Sequence, residues 1–119
     1  MAACAVAGCY YTRTSVPYWP SIRDPELLVR DASLLMAGTP TNALITIPRT
    51  NWPTSISTMN PLSVDVYHHR FVAISIGIMP MDSGYGYMIY PEPQTGTVTW
   101  GAIPLTKSDD PRIFRFKDP

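Results

Sequence analysis

Charge is the scarcest resource in this chain. Asp, Glu, Lys and Arg make up 15% of its 119 residues, against about 25% in an ordinary globular domain. Nine basic and nine acidic side chains cancel to a formal net charge of zero. No basic field exists of the kind that phosphate neutralisation demands, so direct binding of nucleic acid is not expected. Long apolar runs are missing as well. No uncharged apolar run approaches the roughly 18 residues of a spanning helix, so the chain is not expected to span a membrane. At 13.2 kDa the polypeptide has room for one modest core and not for two, and residues 1–119 read as a single domain.

Cysteine is nearly absent. Cys4 and Cys9 would point to opposite faces of a strand, which argues against a disulfide, and they lack companions at zinc-ligand spacing. They are expected to be free and to act as small hydrophobes. Val6-Ala7-Gly8-Cys9 is similar to the box that precedes a lipidated cysteine in bacterial lipoproteins, but only eight residues stand before Cys9 and none is basic, which counts against a secretory signal. Internal repeats and low-complexity linkers are also absent.

Proline is abundant, with 13 residues against a usual share of about 5%. The organising stretch runs from Phe71 to Trp100. Val72, Ile74, Ile76 and Ile78 share one parity, while Ala73, Ser75 and Gly77 take the other, which is the two-residue period of a strand. A turn over residues 79–84 precedes a second run with Tyr85, Tyr87 and Ile89 on one parity. Residues 91–96 break the chain before Thr97-Val98-Thr99-Trp100. These features predict an antiparallel meander over residues 71–103. The fold class expected is therefore mainly β, a single small antiparallel sandwich or barrel-like sheet with one short α-helix and extended terminal arms.

That helix is expected at about residues 25–37. Asp24 can cap it, Pro25 suits its first position, Glu26 complements its positive end, and Gly38 stops it. Leu27, Leu28, Ala32, Leu35 and Met36 form its apolar stripe. Residues 43–47 read as a short strand and residues 49–62 as mostly irregular, with a short edge strand over 55–59. From Val64 the chain either continues in one long strand into residues 72–78 or breaks near His68-His69-Arg70. Residues 112–119 read as a terminal strand or arm, with Phe114 and Phe116 on one face and Arg115 and Lys117 on the other, docked at home or added to a neighbour's sheet edge.

No catalytic, metal or cofactor constellation emerges. His68 and His69 would point to opposite faces of a strand and could not clamp one metal without a bend. Asp65 precedes His68 by three positions, but no activated nucleophile is singled out. Gly84-Tyr85-Gly86-Tyr87 lacks the spacing, the helix and the lysine of a phosphate loop. Tyr85, Tyr87, Tyr90 and Trp100 could form an aromatic platform for a sugar ring, or stabilise the sheet through cross-strand pairs.

Between Trp52 and Thr106 only Asp65, Arg70, Asp82 and Glu92 carry charge. Either much of this segment is covered by other protein, or Thr, Ser and Asn solvate it. Residues 1–22 form a possible N-terminal arm, in which Tyr18 and Trp19 sit between Pro17 and Pro20. Such a stiff aromatic segment can anchor in a partner's groove, or cap the domain's own core.

The reading that these features support is a non-enzymatic structural protein of a large assembly. Its specific form is a capsid decoration, cement or minor virion protein, located in the virion and bound to a major capsid protein or to copies of itself. Val6, Tyr10, Tyr18, Trp19, Tyr85, Tyr87, Phe114 and Phe116 are its candidate partner-binding residues. A carbohydrate-binding β module is the alternative, as is an accessory subunit of a large cytoplasmic or organellar complex.

Overall fold

The structure is a computed structural model that describes residues 17–79 and 83–117. One helix, α1 (Pro25–Ala37), opens the ordered elements. The Asp24 carboxylate accepts from the Leu27 N–H at 3.1 Å, Pro25 takes the first helical position, and Glu26 lies in the first turn. At the other end the Gly38 N–H donates to the Leu34 and Leu35 carbonyls at 3.1 and 3.2 Å, which satisfies carbonyls that have no partner inside the helix. Leu28, Val29, Ala32 and Met36 form the buried stripe.

The strands are β1 (Leu44–Thr46), β2 (Ser63–Tyr67), β3 (Phe71–Met79), β4 (Ser83–Ile89), β5 (Thr99–Trp100), β6 (Ile103–Pro104), β7 (Thr106–Lys107) and β8 (Ile113–Lys117). Six of them make one antiparallel sheet in the order β1-β2-β3-β4-β8-β7, while β5 and β6 pair separately. The fold is mainly β, as the alternation in residues 71–89 implies. The sheet stays open, with β1 and β7 as its edges.

The third strand of the expected meander is the main departure. Thr99-Trp100 turns back on Ile103-Pro104, and β8 takes the place beside β4, pairing Tyr85 with Lys117 through Ile89 with Ile113. The terminal segment thus docks at home. The reason is area: Ile113, Phe114 and Phe116 bury nearly all their surface in that position, worth roughly 1.5–3 kcal/mol each, which a two-residue strand cannot match.

Both faces of the sheet are covered. Val64, Val66, Val72, Ile74, Tyr87, Ile89 and Ile113 pack against α1, Ile47 and Ile56. On the other face Phe71, Ala73, Met88, Tyr90, Phe114 and Phe116 pack with Leu105, Val98 and Trp100. The small Ala73 and Ser75 side leaves room for an aromatic layer, in which ring centroids step from Tyr67 to Phe71 (5.0 Å), to Tyr90 (5.3 Å) and to Phe114 (5.6 Å). Such spacings suit stacked and edge-to-face pairs.

Residues 63–79 are two strands. The Arg70 N–H donates to the Tyr67 carbonyl at 2.7 Å, and His68 and His69 both hold positive φ, 46° and 60°. Left-handed backbone at two successive residues marks a primed turn, whose twist matches a hairpin. The edge strand expected over 55–59 is instead α2 (Thr54–Ser57), a single helical turn. The Ser57 and Thr58 N–H groups donate to the Pro53 and Thr54 carbonyls, Ile56 is fully buried, and the Ser55 hydroxyl donates to Asp31 on α1 at 2.6 Å.

A register shift between Ser75 and Gly77 breaks the β3–β4 ladder. It is a bulge: one extra residue on β3 brings its backbone hard against β4. A Cβ added at Gly86 would collide with the Ile74 carbonyl, whereas Gly84 has only the Gly77 carbonyl nearby, at 3.9 Å. At Gly77 an added Cβ would meet the Tyr85 ring at 2.5–2.7 Å, so the missing side chain is the space that this ring occupies.

Arg112 ties the last strand to the helix. Its Nε and Nη2 donate to the two oxygens of Asp110 at 2.9 and 2.7 Å, and Nη2 reaches Glu26 at 2.6 Å. Hydrogen bonds from Arg112 hold the carboxyl groups of Asp110 and Glu26 below their ordinary values.

Two predictions follow from this packing. Gly86→Ala is expected to lose about 1–3 kcal/mol in urea unfolding, the cost of overpacking, while Gly84→Ala leaves the midpoint close to wild type. Because the folded-state carboxyl of Asp110 is depressed, its stabilisation is fully present above the ordinary Asp value and is lost as pH falls from there through the lower folded-state value. Asp110→Asn is therefore expected to flatten the fall in melting temperature between about pH 5 and 3, as measured by calorimetry.

Candidate functional site

The sequence-based candidates separate by burial. Val6 and Tyr10 lie outside the described residues. Tyr85, Tyr87, Phe114 and Phe116 are inside the chain's own core, each with 5% of its surface exposed or less. Trp19 is half-buried and packs on the helix-side core, and Tyr18 is 70% exposed. Of the candidate partner-binding residues described, Tyr18 alone turns its ring to solvent. The sugar platform loses its faces for the same reason: Tyr85, Tyr87 and Tyr90 are buried, and Trp100 is set edge-on to Tyr67 and Phe116 at 5.6 and 5.4 Å.

What gathers these rings is a seat for residues 17–22 on β4 and β8. The Trp19 Nε1–H donates to the Gly86 carbonyl at 2.7 Å, and its ring stands edge-to-face on Tyr85 at 5.4 Å. The Arg115 guanidinium lies over the same indole, 5.3 Å from the centroid, a cation–π contact. One residue on, the Tyr87 hydroxyl donates to the Pro20 carbonyl at 2.5 Å. Burial pushes the Tyr87 phenol up from its ordinary value, so it stays protonated and remains a donor at neutral pH. Pro17 and Pro20 fix their own φ, and the segment reaches its seat with few conformations left to lose.

Two grooves flank this segment, and Pro20, Ser21 and Ile22 wall both. One, of about 480 Å³, opens toward α1 and α2 between Leu27, Leu28, Thr58 and Met59. The other, of about 420 Å³, opens toward Ser108, Asp109 and Arg115. A second surface is defined by what it lacks. Pro93, Thr95, Gly96, Thr97, Thr99, Gly101, Ala102, Pro104 and Thr106 are exposed, and no residue from 93 to 106 is charged.

His68 and His69 are exposed in the β2–β3 turn, and Asp65 accepts from the Thr46 hydroxyl at 2.6 Å across the ladder. Among the described residues no three of His, Cys, Asp and Glu are grouped to hold a metal ion. No helix among them is long and apolar enough to cross a membrane. The Gly84-Tyr85-Gly86-Tyr87 run lies on β4, where Gly86 offers its carbonyl to Trp19. Sequence reasoning missed Gly86 and Arg115 as parts of this seat. The signals available were the glycine between two tyrosines and the arginine alternating with two phenylalanines.

Trp19→Phe leaves a smaller aromatic ring in the seat and removes the N–H donor to Gly86. It is expected to cost about 1 kcal/mol of stability, read as a lower urea midpoint with an unchanged slope.

Comparison of the chain with protein-family models, with curated proteins and with solved structures finds no match in any of the three.

Proposed function

We propose that this chain is a non-enzymatic structural subunit of a large assembly, of the kind that decorates or cements a capsid shell by bridging neighbouring subunits. The observation that carries the reading is the uncharged outer surface of residues 93–106, built from Thr, Pro, Gly and Ala. Another protein can cover such a surface without stripping water from an ion, which costs several kcal/mol per unpaired charge. Depletion of charge is also the mark of the centre of a protein interface. The low overall charge and the high proline content point the same way. The partner is then another protein subunit, either a shell protein or a further copy of this chain.

The test is fractionation of extracts from the native source. Wild-type chain is expected to migrate with a large assembly, and Thr97→Lys with Thr99→Lys to release it at least tenfold while leaving the melting temperature unchanged. Migration of the wild type as a free 13.2 kDa chain, or indifference to the two lysines, rejects the reading.

A further inference from the structure

Residues 17–23 hold to the body of the protein through side chains. They form no helix or strand, and among the described residues none of their main-chain N–H groups donates to another main-chain group. Their attachments are the Trp19 indole on the Gly86 carbonyl, against the Tyr85 ring and under the Arg115 guanidinium, the Tyr87 hydroxyl on the Pro20 carbonyl, and Trp19 and Ile22 against the core. Grooves border the strap on both sides at Pro20, Ser21 and Ile22. Arg23 and Asp24, which join residues 17–22 to α1, are exposed. A change of φ and ψ at those residues redirects the strap without breaking a main-chain hydrogen bond of the sheet.

The seat holds a short, proline-bounded segment by its Trp19 ring and its Pro20 carbonyl. We propose that the seat formed by Tyr85, Gly86, Tyr87 and Arg115 also takes the residue 17–22 strap of a second copy, so that two copies exchange straps. Every contact is then made equally well within a chain or between chains, as in other exchanges of identical elements. The balance is set by effective concentration, in the millimolar range for a short tether. Dilute chain closes on itself, and chains crowded side by side pair. This surface is distinct from the uncharged one of residues 93–106 and does not depend on it.

The experiment is sedimentation of the full chain from micromolar to about 2 mM, the range set by a short tether, with subunit exchange followed by native mass spectrometry of ¹⁵N-labelled and unlabelled protein. Wild type is expected to form a dimer whose fraction rises into the millimolar range. Trp19→Ala detaches the strap in both forms and is expected to weaken the dimer at least tenfold. Tyr87→Phe removes one contact equally from closed and exchanged forms. It is expected to leave the dimerisation midpoint within twofold while speeding subunit exchange about tenfold, the effect of one lost hydrogen bond on opening. A dimer through any other surface would be insensitive to both substitutions. A wild type that stays monomeric, a dimer that survives Trp19→Ala, or an exchange rate unmoved by Tyr87→Phe overturns the proposal. Should Trp19→Ala fail to fold, the Tyr87→Phe rate decides alone. Monomeric wild type that still enters a large assembly overturns strap exchange and leaves the uncharged-surface reading intact.

Discussion

Burial of the central β3–β4–β8 ladder on both faces is the constraint from which the remaining structure descends. The six-stranded sheet has two faces to cover, and the short chain must find an apolar layer for each. The first is α1 with Ile47 and Ile56, and the second is the aromatic layer of Phe71, Tyr90 and Phe114 closed by residues 98–105. The strand side read as small, Ala73 and Ser75, is what makes the second layer possible. Bulky residues on both faces would hold the aromatic rings too far from the backbone to pack at native density.

The bulge at Ser75–Gly77 has a consequence well beyond local geometry. It presses β3 against β4, which only glycine at position 86 can accept, and it lets the Tyr85 ring lie over Gly77. Gly86 keeps a carbonyl available to the Trp19 indole. The strap, the bulge and the two glycines thus form one physical unit. Its polar contacts use ring N–H and O–H groups whose apolar bodies are buried, a role suited to Trp and Tyr.

Two parts of the surface differ in kind, one bare and one occupied by residues 17–22. Residues 93–106 offer a broad uncharged face with weak individual features, and the strap seat offers a small, chemically specific one. Arg112 ties α1 to the start of β8, since Asp110 in the turn before β8 and Glu26 on α1 meet on the same guanidinium.

Local rules determined α1, because its cap, its first-turn proline, its stripe and its terminal glycine act within a few residues of one another. They also determined β3 and β4, because alternation needs only near neighbours. The partner of β4 was decided by tertiary structure alone: Thr97–Trp100 and Ile113–Lys117 both satisfy the period of a strand, and only the area buried by Phe114 and Phe116 separates them. The turn at His68-His69 and the helical turn at Thr54–Ser57 lacked the glycine or capping signals by which such features are usually read. Four rings offered to partners on parity alone, those of Tyr85, Tyr87, Phe114 and Phe116, proved to be core. Alternation assigns a residue to one face of a sheet, but a covering layer contributed from a distant part of the chain decides whether that face meets water.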